Sequence, residues 1–285
     1  MAVPLTVDLA GKVAFVTGGG GVLCSTMCKA LAECGAAVAV ADLSQEMADK
    51  TAAEINAAGG KAIGVAGNVL ERESLEAGRK IVEEQLGPVD ILINGAGGNH
   101  PKGTTSMPFL EQEALKNAAE SVVTFFDLDP AGIQFVFNLN FLGTLLPCQV
   151  FARGMAERGG GCIINVSSMN AFKPLTKIPA YSGAKAAVSN FTQWLAVHLS
   201  HCGIRVNAIA PGFFLTKQNE RLLTNEDGSL TDRGKTIVGH TPLGHFGKPE
   251  DLTGALLWLV SDAAAGFVTG TVIPVDGGFS AFSGV

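Results

Sequence analysis

Three residues of this chain could move a proton together: Ser168, Tyr181 and Lys185. Tyr181 and Lys185 belong to the pentad YSGAK, and Ala184, Ala187, Val188, Phe191, Leu195 and Leu199 recur around it at a helical period. On a helix the i and i+4 positions share one face, with Cβ atoms roughly 6 Å apart. A free phenol, with a pKa of about 10, exchanges protons poorly near neutrality, and a fixed ammonium beside it favours the phenolate and lowers that value. Tyr181, the single tyrosine of the chain, would then serve as acid and base. A Tyr and Lys pair on a helix can equally be a solvated face, so the flanking sequence has to decide. Upstream, residues 162–166 (CIINV) read as a short buried strand that delivers Ser167 and Ser168 at its end.

The elements that must position this cluster alternate along the chain. KVAFVT (12–17) reads as an apolar strand, followed by Gly18, Gly19, Gly20 and Gly21 and a helix over 22–33. A strand, a glycine turn and a helix N-terminus together offer free N–H groups and a close backbone approach to a pyrophosphate. A second strand over 37–41 ends at Asp42, which could accept hydrogen bonds from both hydroxyls of an adenosine ribose or could cap the following helix. A carboxylate there would repel a 2′-phosphate, and Leu43, Ser44 and Gln45 bring no cation, so NAD is expected rather than NADP. A helix over 45–58, a strand over 61–66, a helix over 70–86 and a strand over 89–93 follow, the last running into Asn94, Gly95, Ala96 and Gly97. After a long, nearly all-round apolar helix over 131–157 come the 162–166 strand, the YSGAK helix, a strand over 204–210, a helix over 249–261 and a strand over 271–275. The alternation implies one α/β domain spanning 1–285, a doubly wound, mainly parallel seven-stranded sheet in the order 3-2-1-4-5-6-7.

Two stretches stand outside this alternation. Residues 99–130 are long for a connection inside a compact domain, with a short helix expected over 111–120, and they follow a strand's carboxyl end, where open α/β sheets bind ligands. Asn99, His100, Lys102 and Thr104 are candidate substrate contacts there. Residues 215–245 are polar and have the composition of a lid, with Gln218 and Asn219 as candidates. Between Ser168 and Tyr181, Asn170, Lys173, Thr176 and Lys177 would suit a small polyhydroxylated acid: an ammonium for its carboxylate, amides and hydroxyls for its alcohols.

Composition narrows the remaining classes. The 285 residues are 47% hydrophobic with a net charge of −6 and no basic run, which fits a soluble globular protein able to bury a large core and argues against nucleic acid as a partner. Six cysteines lack C-x-x-C spacing and read as small core residues, so neither a metal site nor a disulfide is expected. No apolar run reaches the roughly 18 residues of a membrane span, and MAVPLTVDLAGK has neither the charged nor the apolar region of a signal peptide, so the expected location is cytoplasmic.

Taken together, the YSGAK pentad, the strand-end Ser168, the glycine turn and the Asn94 turn resemble the short-chain dehydrogenase/reductase family over nearly the whole chain. Two motifs depart from it. The family's T-G-x-x-x-G-x-G places Val22 and Cys24 at its second and third glycines, unless the turn is one residue shorter and Gly21 takes the second place, and its N-N-A-G has Gly95 for the second Asn. The resemblance implies that Ser168 and Tyr181 bind the reacting oxygen, that Lys185 tunes Tyr181 and holds the nicotinamide ribose, and that Asn140, in an N-x-x-G motif, distorts its helix and carries a relay water. A buried Asn140 satisfied by local hydrogen bonds is the alternative. It also implies cofactor contacts from Gly18, Gly20, Gly21, Val22, Asp42, Asn68, Val69, Asn94, Gly95, Ala96, Pro211, Gly212 and Thr216, and a homotetramer. The implied reaction is hydride transfer between NAD(H) and a sugar acid such as D-mannonate/D-fructuronate. A gluconate 5-dehydrogenase or another polyol or ketoacid reductase is the alternative, and a non-catalytic NAD-binding sensor is the rival of another class.

Overall fold

In a computed structural model, which describes residues 6–117, 122–216 and 219–284, seven strands form one sheet. They are β1 (Val13–Thr17), β2 (Ala37–Asp42), β3 (Lys61–Ala66), β4 (Ile91–Asn94), β5 (Gly161–Val166), β6 (Ile204–Pro211) and β7 (Val272–Val275), in the order 3-2-1-4-5-6-7 with every pairing parallel. Parallel strands are covered on both faces and therefore read as unbroken apolar runs, as VAFVT and ILIN do. On one face α1 (Val22–Glu33) packs Met27, Cys28 and Leu31 against the sheet, beside α2 (Gln45–Ala57). On the other face α3 (Arg72–Gln85) packs Leu75 and Val82, and Phe15 of β1 meets Phe151 with ring centroids 4.2 Å apart. Cys24, Cys28, Cys148 and Cys162 are buried, as expected of small core residues.

After β4 the chain runs through a 3-10 turn at Pro101–Gly103 and a short helix α4 (Gln112–Asn117); the helix expected over 111–120 is partly seen, residues 118–120 lying outside the described residues. The single helix expected over 131–157 is three pieces: α5 (Pro130–Phe137), a π turn at Asn138–Leu142 and α6 (Gly143–Arg158). The break centres on Asn140, whose amide donates to the Val136 carbonyl while Thr144 Oγ1 donates to the Asn140 carbonyl, both at 2.8 Å or less. Side-chain bonds to nearby carbonyls compete with the ladder and bend it. Taken end to end, Pro130–Arg158 is long and apolar enough to cross a membrane, contrary to the sequence expectation, yet half of its most apolar window is buried inside the domain.

The remaining helices are α7 (Pro179–Leu199), α8 (Glu220–Leu223), α9 (Asp232–Gly239), α10 (Thr253–Val260) and α11 (Asp262–Ala265). The 249–261 helix starts as a 3-10 turn, Pro249–Leu252, with proline at its first position, where its missing N–H costs nothing. Register aligns the working ends: Thr17 pairs with Ala41 and with Asn94, Asn94 pairs with Asn165, and Asn165 pairs with Ala208. The carboxyl ends of β1, β2, β4, β5 and β6 therefore lie level. Strand order reverses between β1 and β4, where a doubly wound sheet opens a crevice.

Candidate active site

Ser168 leaves the end of β5 in extended conformation and caps the 3-10 turn Met169–Ala171, accepting from the backbone N and the side-chain Nδ2 of Asn170 at 3.2 Å each. Tyr181 enters in the first turn of α7, which Pro179 starts, and Ser168 lies close enough to favour its ionised hydroxyl. One turn on, Lys185 is 4% exposed; its Nζ donates to the Val166 carbonyl at 2.8 Å and sits 5.7 Å from the Tyr181 ring centroid. Burial pushes the Tyr181 phenol above its usual value, opposed by the Ser168 hydrogen bond. This corrects the expectation that Lys185 draws it down: here desolvation outweighs every other influence on the phenol. Burial acts on Lys185 as well and lowers its ammonium from 10.5 to about 8, opposed by the neighbouring Cys24.

The backbone leaving β4 passes directly over these groups. A Cβ on Gly97 would lie 2.7 Å from Asn140 Oδ1 and 3.2 Å from Lys185 Nζ, so glycine alone fits there. Asn140 is fully buried and grips this segment, its amide donating to the Gly98 carbonyl at 2.7 Å and its Oδ1 accepting from Gly98 N at 3.2 Å. Its amide group is thus satisfied by protein, and its main-chain carbonyl accepts from Thr144 Oγ1.

On the β1 side, a cavity of about 210 Å³ is lined by Gly18, Asp42, Leu43, Asn68, Val69, Ala96 and Gly97 among others. Gly18 takes φ 66°, and Gly21 caps α1, which begins at Val22. The glycine turn is thus complete before the helix, and Gly21 holds the place at its start. Asp42 divides its carboxylate between Gly20 N and Ser44 N, both 3.1 Å away. The helix-cap reading of Asp42 falls, because Ser44 caps α2 by accepting from Met47 N. Cys24 and Gly95, the two departures from the family pattern, meet: a Cβ at residue 95 would overlap the Cys24 thiol. Gly95 and Ala96 donate their backbone N–H groups to Thr17 Oγ1 at 3.0 and 3.2 Å.

The remaining expected cofactor residues are held by bonds within the protein. Asn94 is 1% exposed and donates down into the sheet, to Asn165 Oδ1 at 2.9 Å and to Cys148 Sγ, so it braces β4 against β5 instead of reaching a ligand. Asn68 lines the cavity, yet its side chain is committed to Glu71 and to Leu70 N. Val22 has no place in that lining; its carbonyl accepts from Ser25 and Thr26. Pro211 ends β6, and Gly212 N donates to the Val275 carbonyl, where a Cβ would strike Asp276. Thr216 donates its backbone N–H to Asn219 Oδ1 at 2.8 Å.

A second cavity, about 410 Å³, opens beyond Ile178, the residue before α7. Of the expected substrate residues, Asn99, Thr104, Thr176 and Lys177 line it. The others do not. Lys173 donates to the Phe282 carbonyl and ties down the C-terminal tail. Lys102 pairs with Asp129 at 3.1 Å, and the His100 ring stands against Phe135, 5.0 Å between centroids. Asn170 is buried holding Ser168 and Leu175, and Asn219 bonds Thr216 and the Phe214 carbonyl. Gln218 lies outside the described residues. In their place the cavity takes Arg233, Thr236, Ile237 and His240 from α9 and its end, with Phe213 and Phe279. The helical spacing of 233, 236, 237 and 240 was present in the sequence, but nothing local said which way that stripe faces.

The short chain dehydrogenase family model matches residues 12–227. A Haemophilus influenzae protein known as an uncharacterized oxidoreductase is 56% identical over 278 residues, 98% of this chain and 96% of that protein. A solved structure from Haemophilus influenzae with bound NAD, provisionally named D-mannonate oxidoreductase, is 55% identical, has a TM-score of 0.93 and covers 100% of both chains. The gluconate 5-dehydrogenase of Gluconobacter oxydans is 33% identical over 280 residues, 98% of this chain and 99% of its own length.

Proposed function

The chain belongs to the short-chain dehydrogenase family, and from that premise we propose that this NAD-dependent oxidoreductase interconverts D-mannonate and D-fructuronate. The observation that carries the reading is the cluster of buried Ser168 and Lys185 with half-buried Tyr181, beside a glycine-lined cavity at the carboxyl ends of the strands. The choice of a sugar acid draws on the Haemophilus structure and the Gluconobacter enzyme.

The residues of the β1 side fit a dinucleotide. Glycines 18 to 21 make the turn at the N-terminus of α1 where a phosphate would approach, Asp42 stands where ribose hydroxyls would donate, and no Lys or Arg lines the cavity to favour a 2′-phosphate. NAD, when bound, accepts the hydride from the alcohol carbon, and NADH returns it to the ketone. Ser168 Oγ and the Tyr181 hydroxyl hold the reacting oxygen. Tyr181 gives its proton to that oxygen in reduction and takes one back in oxidation; burial keeps the phenol protonated, the form that reduction uses. Lys185 stabilises the phenolate once it forms and holds the nicotinamide ribose. Asn140 fixes the Gly97 and Gly98 backbone, and its carbonyl carries the relay water. Pro211, Gly212 and Thr216 flank the nicotinamide, and residues 99–130 and 215–245 cover the substrate.

The test is NADH oxidation with D-fructuronate and NAD reduction with D-mannonate, alongside calorimetry of NADH binding. Binding without turnover on sugar acids or polyols would point instead to a sensor on the same fold. Turnover of D-gluconate at its C5 in preference to D-mannonate would favour the gluconate 5-dehydrogenase reading that the Gluconobacter relative supports. We also take the enzyme to be a cytoplasmic homotetramer: its six free cysteines suit a reducing compartment, and Trp194 and Val197 leave α7 with an exposed apolar face, 57% and 77% open. Light scattering decides the assembly.

A further inference from the structure

The substrate cavity is lined by two basic side chains, Lys177 and Arg233, and by no carboxylate. Among the described residues neither basic head group has an ion pair or hydrogen-bond partner. That contrasts with Lys102 and Lys173, which the fold has already committed to Asp129 and to the Phe282 carbonyl. Lys177 is also the only non-glycine residue with a positive φ among the described residues, at 74°, a conformation that surroundings must impose. Its carbonyl is held by Thr105 N at 2.9 Å, so the loop from 99–130 locks it in place. Across the cavity, Arg233, Thr236, Ile237 and His240 recur at i, i+3, i+4 and i+7, so one stripe of α9 forms the cavity wall, with Ile237 buried and the other three open to solvent. Phe213 and Phe279 close an apolar side, ring centroids 5.3 Å apart.

We propose that Arg233, with Lys177, forms the subsite for the carboxylate of a polyhydroxylated acid substrate, while Thr236 Oγ1, which already donates to the Asp232 carbonyl, accepts from its hydroxyls and His240 meets them through Nε2, its Nδ1 being held at the Thr236 carbonyl. The inference rests on the oxidoreductase reading above and names the residue that selects an acid over a neutral sugar. A guanidinium grips a carboxylate through two parallel N–H bonds, and two unpaired cations with no anion of their own make a neutral polyol the poorer occupant. A cavity of about 410 Å³ suits a six-carbon acid.

The experiment is calorimetric titration of D-mannonate and of D-mannitol, its neutral counterpart, into the enzyme–NADH complex, where the alcohol cannot react because the cofactor is already reduced. R233Q should weaken D-mannonate about tenfold or more and D-mannitol less than about twofold, since a charge-assisted bond is lost for the acid alone. R233K should recover part of the loss, and K235Q, on the outer face of α9, should leave both ligands unchanged. Melting temperatures confirm that each variant is folded, with R233K standing in if R233Q is not. Equal losses for acid and polyol, an unchanged D-mannonate affinity in R233Q, or wild-type enzyme that binds the acid no tighter than the polyol would each overturn the subsite. Charge-selective binding without D-mannonate turnover would keep the subsite and remove the proposed reaction.

Discussion

Two cavities of this molecule, the one beside β1 and the one beyond Ile178, are made in opposite ways. The one beside β1 is built from strand ends that the sheet register sets level, and its backbone contacts repeat along the chain: Gly19 N to the Ala41 carbonyl, Gly67 N to the Asp42 carbonyl, Gly95 N to Thr17 Oγ1. The one beyond Ile178 gathers residue 99, residues 175–178, α9 and the C-terminal tail, segments with no strand in common. Where a regular element supplies the atoms, spacing along the chain predicts placement; where loops supply them, competing partners decide where each side chain points. Tyr181 sits at the seam, positioned by α7 and the end of β5.

The largest effect should come from that seam. Tyr181→Phe removes the proton donor without emptying either cavity, so kcat should fall on the order of 10²-fold or more while NADH affinity stays within a few-fold. Near-normal turnover would separate the cluster from the chemistry. Next comes the packing under the β1 cavity. Gly95→Ala drives a methyl into the Cys24 thiol and should lose about 1–3 kcal/mol of stability, an amount typical of overpacking. Adding Cys24→Ala should restore part of it, since the Thr17 carbonyl stays 2.9 Å from the same methyl, and a denaturant double-mutant cycle without coupling would mean that the two departures from the family pattern are independent.

A smaller change is expected at Asp42. Asp42→Ala removes the carboxylate held by Gly20 N and Ser44 N and should shift the NAD to NADP ratio of kcat/KM by about tenfold toward NADP, in line with one charged hydrogen bond. An unchanged ratio would move cofactor choice to other residues. The smallest effect is a pH dependence. Lys185 carries its charge below about pH 8 and loses it above, because burial lowers its value, so NADH affinity should weaken a few-fold as pH rises through about 8. Lys185→Met should show no such break, whereas a break that survives in it belongs to another group.

Legibility followed the same division. Strand order, strand bounds and the meeting of Ser168, Tyr181 and Lys185 were readable because apolar runs, helical period and glycine turns are local signals. The split of the 131–157 helix was missed in extent, although Asn140 was its cause, because a π turn depends on which carbonyl the amide finds. Asn94 was read toward the cofactor, and its burial between Asn165 and Cys148 could not be known without the β4 and β5 register.

What the sequence by itself determined is the sheet, the nucleotide crevice at its order reversal and a helix that puts Tyr181 and Lys185 on one face. Those follow from periodicities that hold wherever the helix or strand is placed. What only the tertiary structure decided is which cations remain unpaired. Lys102 met Asp129 and Lys173 met the Phe282 carbonyl, while Arg233, far along the chain, was turned by α9 toward the cavity beside Lys177. A lysine or arginine stem is long and flexible, and its partner is set by whichever segment folds against it.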